Sequence, residues 1–180
     1  MRVLLLFFVG LKVIAYICIS VIKIKLNQIK HPMDKKYDYF ISAVAYAMND
    51  HSYNTKWYYD FDTQDTEADI EDMELHPDPT HRLVSIDPLG SREGFMHMEE
   101  FADGGKNLML RSKLYKALEQ RHPFSAFVNA VNYNNLREAW FKFKNEKMKE
   151  IVEEWMEDND IIYEDGIFKC EHAKTYEFCD

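Results

Sequence analysis

The run Leu136–Met156, LREAWFKFKNEKMKEIVEEWM, leaves this chain the least freedom. It holds no glycine or proline. At 100° per residue Leu136, Trp140, Phe143, Met148, Ile151, Val152 and Trp155 share one broad face. Glu146, Lys149, Glu150, Glu153 and Glu157 fall opposite, with Lys142–Glu146 and Lys149–Glu153 as oppositely charged i,i+4 pairs. Most of a helix's stability in a protein comes from covering its apolar face, so the rest of the chain must supply a second layer. Both tryptophans of the run are therefore expected in a core. Asn135, three residues before Glu138, has the spacing of a capping box. Three cations break the pattern. Lys144 and Lys147 project within the apolar face, and Arg137 opposes the helix dipole in the first turn, where it calls for an acidic partner.

The second layer is read from the preceding segments. "YFISAVAYAM", Tyr39 to Met48, has helical spacing of Phe40, Val44 and Ala47. The period then drops to two in "KWYYDFD", where Trp57, Tyr59 and Phe61 alternate with Tyr58, Asp60 and Asp62. A turn over Asp62–Asp65 and a return through Thr66–Ile70 make a hairpin, and Arg82–Ile86 is a third strand ended by Asp87-Pro88. Helical spacing resumes after Ser91, the expected N-cap, with Phe95, Met98, Phe101 and Ala102, and ends at Gly104-Gly105. Leu110, Leu114, Ala117 and Leu118 mark a further helix. Pro123 opens another, carrying Phe124, Phe127, Val128 and Val131. The tail is expected to add a short strand or a hairpin around Asp165-Gly166 before it frays. The fold class is α+β: a small antiparallel sheet followed by a cluster of α-helices, preceded by a hydrophobic N-terminal helix.

That N-terminal segment, residues 1–32, is set apart from an expected domain at 33–163 and a tail at 164–180. Residues 3–22 are interrupted by one charge, Lys12, and would span about 30 Å as a helix. They read either as a single membrane anchor or as an over-extended start ahead of Met33. As an anchor, with lysines on its C-terminal side, the segment would leave the domain in the cytoplasm, tethered to the inner face of the membrane; an over-extended start also places the domain inside the cell. Of the net charge of −9, the first 32 residues contribute +5, leaving −14 for the rest. So acidic a domain lacks the field that nucleic-acid binding requires. The three cysteines form no disulfide framework.

"IDPLGSREGFMHMEEFA", "LYKAL…HPFSAFVNAV" and "LREAWFKFKNEKMKEIVEEWMEDNDI" together resemble the uncharacterised protein family UPF0158 over roughly Phe40 to Ile162. Its members are small bacterial proteins with an aromatic hairpin and an Arg-x-x-Trp-x-x-Phe helix closed by a second Trp. The matching positions are Ser91, Met98, Phe101, Phe124, Phe127, Arg137, Trp140, Phe143 and Trp155. Where the family hairpin would usually turn on Thr-Gly, this chain has Thr63-Gln64-Asp65. The resemblance implies the fold and brings no activity, substrate or cofactor.

The residues themselves carry no nucleophile elbow, phosphate loop or Cys/His signature of nucleophilic catalysis. "DFDTQDTEADIE" has acids at calcium-loop positions one, three and twelve but lacks the central glycine, and its flanks read as strands. Cys170, His172 and Cys179 match no zinc module. The expectation is a non-enzymatic binding protein without a cofactor, meeting a protein partner through an aromatic-edged groove with Arg137, Trp140 and Lys144 as its candidate residues. The alternative is a metal-dependent enzyme using Asp60, Asp62, Asp65 and Glu67 of the hairpin. The sequence sets no oligomeric state.

Overall fold

The computed structural model describes residues 34–105 and 107–176. The hydrophobic stretch at 3–22, Met33 and Cys179 lie outside the described residues. The chain divides into two units, Met1–Tyr39 and Phe40–Asp180. Of the first, only the residues from Asp34 are described; there the Asp34 carboxylate accepts the Lys36 N–H at 2.9 Å at the start of a helix.

The described residues form an α+β fold with five helices. Helix α1 spans Lys35–Asn49. Strands β1 (Thr55–Asp60), β2 (Asp65–Ile70) and β3 (Arg82–Ile86) follow. Then come α2 (Ser91–Asp103), α3 (Leu108–Leu118), α4 (Pro123–Tyr133) and α5 (Arg137–Asp158). Strands β4 (Ile162–Glu164), β5 (Ile167–Lys169) and β6 (Lys174–Thr175) close the chain. A four-stranded antiparallel sheet has the order β2-β1-β3-β6, and β4-β5 is a separate hairpin. Its turn, Asp165-Gly166, has φ of 54° and 77°, the pair of left-handed residues that a two-residue hairpin of primed type needs. The stretch expected to be a tail thus contributes β6, which pairs beside β3, and Tyr176, whose hydroxyl donates to Asp69 at 2.8 Å.

Two aromatic clusters hold the second unit. In one, Phe40 stacks on Phe168 at 3.8 Å between ring centroids and meets Tyr59 edge-on at 4.8 Å. In the other, Phe127 lies wholly buried among Met98, Ala102, Leu114, Leu118 and Val131, with Phe101 and Trp140 edge-on against it. Helix α5, about 33 Å long at 1.5 Å per residue, reaches from the second cluster to the first. Its buried residues are Met148, Val152, Glu153 and Met156. Two expectations change here. Trp140 and Trp155 are half-buried at the margins of the cores rather than inside them. Glu153, assigned by its spacing to the wet face, is buried, because Val152 and Met156 turn that side of the helix inward.

Capping also departs from expectation. Asn135 does not open α5. Its φ of 56° makes it the left-handed residue that ends α4, with Leu136 N–H on Val131 O at 2.9 Å and Asn135 N–H on Asn132 O at 3.2 Å. This is a Schellman closure, and Leu136 brings the accompanying apolar contact to the helical core. Helix α5 ends the same way at Asp160 (φ 52°), with Ile161 N–H on Met156 O at 2.8 Å. In both, the preceding asparagine folds back on the carbonyl four residues earlier, Asn134 on Ala130 at 2.7 Å and Asn159 on Trp155 at 2.8 Å. Ser91 is not the cap of α2 either; Gly90 holds that position in extended backbone, with the Glu93 carboxylate folded over it. Asn107 caps α3 through its side chain, accepting from Met109 N–H at 2.9 Å.

At the β1–β2 turn the left-handed residue is Gln64, with φ 61°. Its amide donates to the carbonyls of Phe61 (2.8 Å) and Phe168 (2.9 Å), and its oxygen accepts the Phe168 N–H at 2.7 Å. The side chain therefore pairs with β5 as a strand would. Three hydrogen bonds offset a conformation that costs an L-residue about 1–2 kcal/mol.

Candidate functional site

Two places gather chemistry. The first is a groove of about 380 Å³ lined by Leu89, Met98, Phe124, Val128 and Trp140, with Asn49, His51, Ser91, His97 and Lys144 among its polar lining. Its walls follow from local structure. Pro123 starts α4 and leaves Phe124 and Val128 one turn apart, both 45% exposed, while Phe127, on the adjoining stripe of the helix, fills the core. Trp140 lies four residues before Lys144 on α5, so the indole and the ammonium stem occupy one stripe. The loop edge is fixed by Leu89 N–H on Met48 O at 2.7 Å and by Asp50, which accepts Trp57 Nε1–H at 2.8 Å and Ser52 N–H at 3.0 Å. The Ser52 hydroxyl, which donates to the same carboxylate at 2.6 Å, acts foremost, and together these hydrogen bonds hold the Asp50 carboxyl below its ordinary range.

Of the three cations in the apolar face of α5, each has a different fate. Lys147 reaches Glu100 of α2 at 2.8 Å and Glu150 at 3.0 Å, and Glu100 foremost raises its pKa. Arg137 is exposed and lies over the Phe141 ring at 5.3 Å, four residues on; an aromatic face takes the place of the expected acid, and Arg137 is not part of the groove lining. Lys144 stands half-buried in the groove and, among the described residues, forms no ion pair. His97 beside it is held below its ordinary pKa by burial, with Lys147 acting in the same sense.

The second place is the end of the β1–β2 hairpin. Cross-strand register sets Glu67 opposite Tyr58 and Asp65 opposite Asp60, so Asp60 and Glu67 share a sheet face as diagonal neighbours. Sequence reasoning missed the third member, His81. It immediately precedes β3, which runs antiparallel beside β1 with Leu83 opposite Asp60. The loop Leu75–His81 aims it: Asp78 accepts Thr80 N–H at 2.8 Å and Thr80 Oγ1–H at 2.7 Å, and His81 N–H bonds Asp78 O at 3.1 Å. Carboxylate oxygens of Asp60 and Glu67 and a ring nitrogen of His81 all lie within 4.8 Å of one another. His81 Nδ1 is 2.6 Å from Asp60 Oδ2. Asp60 is completely buried, and its Oδ1 accepts Asp62 N–H at 2.7 Å and Thr63 N–H at 3.1 Å. Desolvation first, then the neighbouring Asp60, raises the Glu67 pKa; the hydrogen bond to Asp60 raises that of His81.

The other two hairpin acids are engaged elsewhere. Asp62 accepts the Arg82 N–H at 2.8 Å and its guanidinium at 3.1 Å, which holds the carboxyl below the usual range. Asp65 accepts the next residue's N–H, from Thr66, at 2.8 Å. At the C-terminus Cys170 is buried with its Sγ on Asn159 O at 3.2 Å, while His172 is largely exposed near Asp160. Among the described residues no helix is long and apolar enough to cross a membrane.

Comparison with known proteins bears on the whole arrangement. A model of the uncharacterised protein family UPF0158 matches residues 25–169. Among curated proteins, a UPF0158 protein of Pseudomonas aeruginosa is 35% identical over 81 residues, covering 44% of this chain and 53% of the relative. The chain thus spans about half the length of the curated relative it matches. No solved structure matches.

Proposed function

This chain belongs to the uncharacterised protein family UPF0158, and from that premise we propose that it is a non-enzymatic protein-binding module acting in the cytoplasm. Its occupant is an apolar peptide segment that carries a carboxylate. The observation behind this reading is the meeting of Trp140, Phe124 and Val128 with a half-buried Lys144 that forms no ion pair among the described residues. Open apolar walls with one fixed charge are what peptide recognition uses: area from the aromatic rings, orientation from the ion pair. The acidity of the rest of the chain disfavours nucleic acid as the occupant.

Selection of random peptides displayed on phage against the full chain tests the reading. The expected consensus places one or two large apolar residues beside Asp or Glu. Binding of the selected peptides should fall at least tenfold with Lys144→Glu and with Phe124→Ala, while Arg137→Ala leaves it unchanged. A selection without a consensus, or peptides indifferent to Lys144→Glu and Phe124→Ala, would refute it.

A further inference from the structure

We infer that Asp60, Glu67 and His81 form a binding site for one first-row divalent metal ion of the zinc or manganese class. The placement is independent of the groove.

Three features argue for an ion rather than a self-contained hydrogen-bond network. First, the donors are of the right kind and close enough. Two carboxylate oxygens and one imidazole nitrogen within 4.8 Å of one another can close on a single ion at about 2.0–2.2 Å with side-chain movements of about an ångström. Second, the placement of the donors suits one. Asp60 is completely buried and Glu67 is its diagonal neighbour on the same sheet face, so an ion held there would meet two carboxylates out of water. Third, the supporting contacts have the form that metal ligands need. Asp60 Oδ1 is fixed by two backbone N–H groups of the turn, which leaves Oδ2 to face His81 Nδ1 at 2.6 Å. His81 presents Nδ1 to the cluster while its far nitrogen, Nε2, lies 3.8 Å from the Asp78 carboxylate. At that distance the Asp78 carboxylate acts on the imidazole through its charge and not through a hydrogen bond. The imidazole selects zinc or manganese over magnesium and calcium, which take oxygen donors. Three protein ligands leave coordination positions for water.

The test uses the full chain, stripped with a chelator and dialysed, with zinc and manganese titrated separately by calorimetry against wild type, Glu67→Gln and His81→Asn. The expected result is one equivalent bound by wild type, at least tenfold weaker binding in each variant, and a melting temperature that the ion raises in wild type alone. Magnesium should bind at least tenfold more weakly than manganese. Glu67→Gln is the variant that carries the test should His81→Asn fail to fold, because Glu67 is only half-buried and does not hold the turn. Absence of binding heat with both zinc and manganese overturns the inference. Equal affinity in wild type and Glu67→Gln also overturns it, since it locates the ion elsewhere.

Discussion

Phe127→Ala isolates the residue on which the groove and the helical core both depend. Phe127 is 0% exposed, and its ring meets Trp140 at 5.1 Å and Phe101 at 6.2 Å, edge-on in both cases. Removing a wholly buried phenyl group forfeits about 1.5–3 kcal/mol of transfer free energy. A residual void of roughly 80 Å³, at about 24 cal/mol per Å³, adds about 2 kcal/mol. The expected destabilisation is therefore about 3.5–5 kcal/mol, read as a fall in the urea midpoint at constant slope and a drop in Tm of about 8–20 °C. Phe124→Ala, three residues earlier on the same helix and 45% exposed, should cost no more than about 1 kcal/mol and act on peptide binding instead. The assay is urea unfolding of the three proteins followed by far-UV circular dichroism. Equal losses for Phe124→Ala and Phe127→Ala would refute the division of α4 into a core side and a groove side.

Other positions give sharp expectations. Gln64→Ala loses two hydrogen bonds between the β1–β2 turn and β5 and one within the turn while keeping the left-handed φ, so it should cost about 2–3 kcal/mol by urea unfolding. Gln64→Gly should cost less, because it relieves the backbone. Asn135→Gly should be neutral or slightly stabilising and Asn135→Val should lose about 1–2 kcal/mol, since φ is 56° there. The burial-lowered pKa of His97 has a pH signature: the unfolded chain takes up a proton that the folded chain resists. Stability is then lost as pH falls from about 6.5 through the folded pKa. Melting His97→Leu across that range should give a shallower fall than wild type; identical profiles would remove His97 as the cause.

Periodicity and punctuation in the sequence were enough to determine the α+β class, the three main strands, the four later helices and the Asp165-Gly166 hairpin. These are local properties. A switch from period two to period 3.6, a proline at a first turn or an Asp-Gly pair constrains the backbone of its own neighbours. The exchange of Asn135 from N-cap to helix terminator was also legible, in the repeated order Asn134-Asn135-Leu136 and Asn159-Asp160-Ile161, although an Asn-x-x-Glu spacing read alone pointed the other way. Whether Glu153 is buried, whether Arg137 meets an acid or a ring, and which acids of the hairpin gather depended on neighbours far away in sequence. Asp60 and Glu67 stand seven residues apart, but His81 reaches them only because β3 lies antiparallel beside β1, and a strand's neighbours are set by the whole sheet. Likewise Trp140 and Lys144 shared a stripe in the sequence, yet only the packing of α2 and α4 against α5 made that stripe the wall of a groove. Backbone preference is encoded within a few residues; burial and coordination are decided by what the completed fold sets opposite each side chain.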